Sequence, residues 1–218
     1  MFVGHYSVSF AAKALDKRLP LWGLFLAVQG LDLVWDALIA LGVEKARVAP
    51  GITATLPLDL YFMPYSHSLM AALAWATIAC VIYTLAVRSQ PVSWRPGLLL
   101  GLSVLSHWVL DLLMHRPDLP LYDDTLKVGL GLWNYPVVAF LVEGGILFGG
   151  IALYLRSTRT TTAAGRYAAL LFGVLLLGVH YVGLFLITPP TVTAAAGVFF
   201  GCYLLLAGAA FWVERQRA

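Results

Sequence analysis

The segment Ser106-His107-Trp108-Val109-Leu110-Asp111-Leu112-Leu113-Met114-His115 carries an imidazole, a carboxylate and a second imidazole at i, i+4 and i+8. On a helix this spacing stacks all three side chains on roughly one face. Neutral imidazoles with carboxylates are the donor set of a divalent metal, zinc first and manganese or iron as alternatives; the lack of cysteine argues against a purely structural thiolate site. His5, Asp32, Asp36 and His67 supply further candidates, each within or beside a long apolar run. A carboxylate at membrane depth costs a few kcal/mol or more unless it is paired, metal-bound or wetted, so Asp32 and Asp36 need a reason to be there.

The elements that must position these groups are membrane helices. The chain is 61% hydrophobic and only 11% charged over 218 residues, beyond the range of a soluble domain. The net charge of +3 is dispersed in short connecting segments and forms no nucleic-acid-binding cluster. Cys80 and Cys202 each sit inside an apolar run without a CxxC pattern and read as helix packing. Lys13, Lys17 and Arg18 follow the apolar N-terminal stretch, the reverse of a cleaved signal peptide.

The expected fold is all-α, a single integral membrane domain of six full spans preceded by a short or re-entrant N-terminal helix. The spans are read at 20–43, 66–87, 97–114, 136–155, 167–187 and 192–213. Residues 44–65 read as irregular, His67 falls in the first turn of the second span, and Trp133-Asn134-Tyr135-Pro136 reads as an interfacial anchor and helix start. Lys and Arg on alternating sides divide ten (Lys13, Lys17, Arg18, Arg88, Arg95, Arg156, Arg159, Arg166, Arg215, Arg217) against four (Lys45, Arg47, Arg116, Lys127), which places the C-terminus in the cytoplasm.

Counting about 1.5 Å per residue from the basic end puts Asp32, His107 and Asp111 at roughly 16 to 23 Å, where they can meet. His5, Glu143 and His180 reach similar depth, and His67 and His115 lie higher, which implies one polar cavity opening away from the cytoplasm. His107, Asp111 and Asp32 are the expected metal ligands, His5 and His67 stand at helix ends where an interfacial histidine is equally ordinary, and Asp36 and His115 are the expected catalytic groups. This surplus suits two metals, or one metal with a carboxylate left over as general base. Glu143 and His180 read as structural partners, and Asp118, Asp123 and Asp124 as a solvated loop.

In order and spacing, Gly4-His5, Tyr65-Ser66-His67-Ser68-Leu69 and Ser106-His107 followed by Asp111 resemble the bacterial inner-membrane proteins described as membrane-bound metal-dependent hydrolases. The resemblance covers residues 4–122 and leaves the last three spans, within 132–218, unmatched. It implies ligand roles for His5 and His67 and favours Asp32 as the acidic position. Two departures remove family ligands: Phe62-Met63-Pro64-Tyr65 replaces a His-Arg pair, and Gly30-Leu31-Asp32-Leu33-Val34-Trp35-Asp36 replaces a Pro-Asp-x-Asp-His segment. The expected function is hydrolysis of an ester or phosphoester of a lipid or amphiphile by metal-activated water. The alternative is a proton- or divalent-cation-coupled transporter using the same His/Asp cluster, with a haem-binding electron carrier behind it.

Overall fold

The computed structural model describes residues 1–87 and 93–217, so Arg88 and its contribution to the charge count lie outside the described residues. Most of the chain is helical. Among the described residues, five helices are long and apolar enough to cross a membrane: α5 (Leu69–Ala86), α6 (Arg95–Met114), α7 (Pro136–Ser157), α8 (Ala163–Phe185) and α9 (Val192–Arg215). Proline stands in the first turn of α6 and α7, where its missing N–H is not needed. The Ser68, Thr162 and Thr191 hydroxyls cap α5, α8 and α9.

The N-terminal helix α1 (Val3–Leu15) runs through the interior, with Val3, Tyr6 and Phe10 fully buried. Its first amides have no partner within the helix. Glu143 of α7 supplies one: its Oε2 accepts from the Phe2 N–H at 2.8 Å and the Gly4 N–H at 3.1 Å. At the other end Lys13 donates to the Lys17 and Leu19 carbonyls and pairs with Glu214 of α9. In the turn beyond, the hydrogen-bonded Arg18 guanidinium holds the Asp16 carboxyl below the usual carboxylate range.

The expected continuous span at 20–43 is broken. It forms α2 (Leu21–Val28) and α3 (Gly30–Ala40), bent by 55° where Gln29 adopts φ −101°, ψ 12°. Counted as one crossing, the pair raises the number of spans to six. Residues 44–65 are not wholly irregular either. Lys45–Val48 (β1) and Leu58–Phe62 (β2) form an antiparallel hairpin with Arg47 opposite Asp59, whose side chains pair at 2.7 Å. His67 ends a separate four-residue helix, α4 (Pro64–His67), and α5 begins only after the extended Ser68.

α5 and α6 approach closely because the facing residues are small. A Cβ at Gly101 would lie 2.6 Å from the Ala76 carbonyl oxygen, and one at Gly97 would lie 2.7 Å from that of Cys80. One apolar core joins α1, α2, α7, α8 and α9 around Tyr6, Phe25 and Phe172. A second joins α3, the hairpin, α5, α6 and the start of α9 around Leu31, Trp35 and Trp108.

Candidate metal centre

α6 brings His107 and Asp111 inward on one face, as their spacing requires, and both are buried. Around them α1 supplies His5, α3 supplies Asp32 and α4 supplies His67. Among the described residues the donors form two groups compatible with a metal ion, His5/His107/Asp111 and Asp32/His67/His107, which share His107. His107 Nε2 lies 3.1 Å from Asp111 Oδ2 and 3.5 Å from Asp32 Oδ1, and His67 Nε2 lies 3.3 Å from Asp32 Oδ1. Ligands about 2.0–2.1 Å from a tetrahedral ion stand about 3.3 Å from one another. The donors present therefore fit a divalent cation both in type and in spacing.

The far side of each ring explains why its Nε2 is available. The break after α2 leaves the Val28 carbonyl to accept a hydrogen bond from His107 Nδ1 at 2.7 Å. A carbonyl only accepts, so Nδ1 carries the proton and Nε2 of the neutral ring keeps its lone pair. His67 is fixed through a longer chain. The Ser66 hydroxyl donates to Glu44 Oε2 at 2.5 Å and in turn accepts from His67 Nδ1 at 2.7 Å, while Glu44 Oε1 accepts from the Tyr65 and Ser66 amides. His115 donates from Nδ1 to Asp118 at 2.8 Å and presents Nε2 at 3.6 Å from Asp111 Oδ2. Each arrangement orients an imidazole and sets its tautomer, as partners of a metal-binding imidazole would.

His5 stacks face to face on His107 with ring centroids 3.9 Å apart, its Nε2 3.2 Å from Asp111 Oδ1. Neither His5 nitrogen, nor His107 Nε2, has an aligned hydrogen bond among the described residues. Buried imidazole nitrogens without partners are costly unless something else binds them. The Met1 amine also meets Asp111 Oδ1. Asp32 is the accessible member of the cluster, its side chain 21% exposed, and its Oδ2 accepts from the Tyr203 hydroxyl of α9 at 2.7 Å.

The structure thus brings His5, Asp32, His67, His107 and Asp111 together, with His115 beside them. Asp36 belongs to neither ligand group; it is buried on α3, and neither of its oxygens has a partner among the described residues. Glu143 and His180 lie apart from the cluster groups, 3.7 Å from each other, with Glu143 also capping α1. Asp118 corrects an expectation: it does not belong to a solvated loop but is buried, held by His115 and by Arg116, which also pairs with Asp59.

Glu44, Ser66, Asp118 and Tyr203 hold the cluster's residues in place, yet sequence reasoning gave none of them a role. Ser66 alone carried a signal, as the residue before His67 in the motif. Glu44 looks like a charge ending a span, and Tyr203 is one aromatic in an apolar run. Comparison of the chain with known protein families, curated proteins and solved structures finds no match to any of them.

Proposed function

We propose that this chain is a membrane-bound metal-dependent hydrolase of the bacterial inner membrane, acting on an ester or phosphoester of a lipid or amphiphile. The observation that carries the reading is the convergence of bare Nε2 atoms and two carboxylates, from separate helices, at metal-ligand spacing inside an apolar bundle. Asp32, His67, His107 and Asp111 would hold a divalent cation, zinc first, with His5 and His115 at its margin. Such an ion polarises an ester or phosphoryl oxygen and lowers the pKa of a coordinated water to near neutrality.

The protein's own residues supply the rest. Val28, the Glu44–Ser66 pair and Asp118 keep three imidazoles oriented, and Tyr203 holds Asp32 from the far side. His115, tied to Asp118 and facing Asp111, is placed to pass a proton between the cluster and the 115–131 segment. Asp36, one helical turn beyond Asp32, is a second candidate base. Six crossings with α2–α3 as one broken span, a short N-terminal helix and a cytoplasmic C-terminus complete the reading, and the cluster then faces the extracytoplasmic side.

The test is elemental analysis of detergent-purified protein beside a His107→Ala/Asp111→Ala variant, followed by turnover of long-chain ester and phosphoester substrates. About one equivalent of a transition metal in the wild type, little in the variant, and turnover only by the metal-loaded wild type are expected. One observation favours a second reading: Asp36 is a buried carboxylate without a partner among the described residues, of the kind that lines proton and cation routes. Wild-type protein that takes up no metal on reconstitution, yet carries protons across proteoliposomes, would overturn the hydrolase in favour of the transporter.

A further inference from the structure

Away from the cluster, a trough of about 340 Å³ runs between α1, α6 and α7. Its walls are almost wholly apolar, with Val8 and Ala11 on α1, Leu99 and Leu102 on α6, and Ile146 and Leu153 on α7. A second depression of about 320 Å³ continues it past Ala11, Leu15 and Leu153 to Arg156. From Ile146 to Arg156 the trough follows ten residues of α7, or about 15 Å of helix. The hydrocarbon core of a bilayer is about 30 Å thick, so the trough has the length of one leaflet. Leu15, Leu102 and Leu153 are each at least 48% exposed along it, and in a membrane such an open apolar channel is filled by an acyl chain.

The end of the trough at Arg156 is cationic. Arg156 lines it, Arg95 reaches across from α6 to donate to the Leu15 carbonyl at 3.1 Å, and Lys17 and Arg18 lie in the adjoining turn. The acidic group there, Asp16, is engaged by Arg18. Among the described residues, Arg95, Arg156, Lys17 and Arg18 face Asp16 alone, the nearby Glu214 being paired with Lys13, so an excess of positive charge remains at the level where a lipid headgroup sits. We propose that this trough is a binding site for one anionic phospholipid, its acyl chain lying between α1, α6 and α7 and its phosphate held by Arg95 and Arg156. The lipid belongs to the leaflet at the basic end of the bundle, opposite the end toward which the metal cluster lies. It is therefore a resident lipid and not the proposed substrate, and the inference stands whether or not the cluster is hydrolytic.

Each basic residue near an anionic headgroup contributes about a fivefold change in affinity, so removing two of them should weaken selective binding by roughly thirty-fold. The full-length protein would be equilibrated with equal amounts of phosphatidylglycerol and phosphatidylcholine in nanodiscs, and its retained lipid counted by native mass spectrometry. Wild type should keep one phosphatidylglycerol in preference to phosphatidylcholine. Arg95→Gln/Arg156→Gln should lose the preference while still holding either lipid, and Ala11→Phe, which fills the trough and removes no charge, should lose the bound lipid altogether. Arg156→Gln alone leaves the Arg95 contact to Leu15 intact and should lower the preference several-fold, so a folding defect in the double variant cannot mimic the result. Equal retention of the two lipids by the wild type, or undiminished phosphatidylglycerol on Ala11→Phe, would overturn the site.

Discussion

His107 appears in both candidate ligand groups, yet it can offer only one nitrogen, because Nδ1 is committed to the Val28 carbonyl. A single Nε2 lone pair binds one ion, so the surplus of ligands is better explained by one cation with alternative or outlying donors than by two cations sharing His107. The same logic gives weight to Glu44. Ser66→Ala would remove the acceptor for His67 Nδ1, and Glu44→Gln would replace the carboxylate that orients Ser66. Each substitution should weaken zinc binding by on the order of 10–100-fold, read by competition with a chromophoric chelator. Because the three residues act in series, the double variant should lose little more than either single one. Wild-type affinity in Ser66→Ala would mean that His67 is not held through this chain. At this scale the sequence was most legible where chemistry is local: His107 and Asp111 share a face by spacing alone. It was silent where the partner is distant in the chain, as with Tyr203 on Asp32 across 171 positions.

Helix breaks and close approaches decide whether those residues meet. The bend between α2 and α3 turns Asp32 toward α4 and α6 and leaves the Val28 carbonyl for His107, so a helix defect serves the site directly. A window of apolar residues from 20 to 43 gives no sign of the bend beyond Gln29-Gly30, which is why a continuous span was expected. The hairpin was hidden for a similar reason: its short strands lie among the Pro and Gly residues that made 44–65 look irregular. The long apolar helices were legible because length and hydropathy alone specify them. The contact between α5 and α6 is set by Gly97 and Gly101, and it fixes the distance between the helix that carries His107 and the one that follows His67. Gly101→Ala would drive a methyl group into the Ala76 carbonyl and should cost about 1–3 kcal/mol by reversible unfolding in micelles. Gly145→Ala, with no described residue within 4 Å of the added Cβ, is the control and should be neutral or slightly stabilising. Equal effects from the two substitutions would mean that the helices tolerate separation.

Across the whole molecule, contacts gather the basic turns at one end of the bundle. Lys13 pairs with Glu214, Arg95 reaches Leu15, and Arg217 donates to the Thr158 and Gly165 carbonyls, tying segments from both halves of the chain together. At the other end Arg116 joins the hairpin through Asp59, and Lys127 donates to the Tyr61 carbonyl. The basic residues at that end are largely matched by carboxylates, so the bias in free positive charge is steeper than a count of Lys and Arg indicates. The positive-inside preference predicts one orientation, with residues 158–162 in the cytoplasm and residues 115–131 outside. A chain with Cys80→Ala and Cys202→Ala, carrying a single new thiol as Tyr122→Cys or Arg159→Cys, tests this in intact spheroplasts. The Tyr122→Cys variant, at an exposed position, should react with an impermeant maleimide at once, and the Arg159→Cys variant only after permeabilisation. The reverse pattern would turn the His/Asp cluster toward the cytoplasm, and any amphiphile reaching Asp32 would then have to come from the inner leaflet.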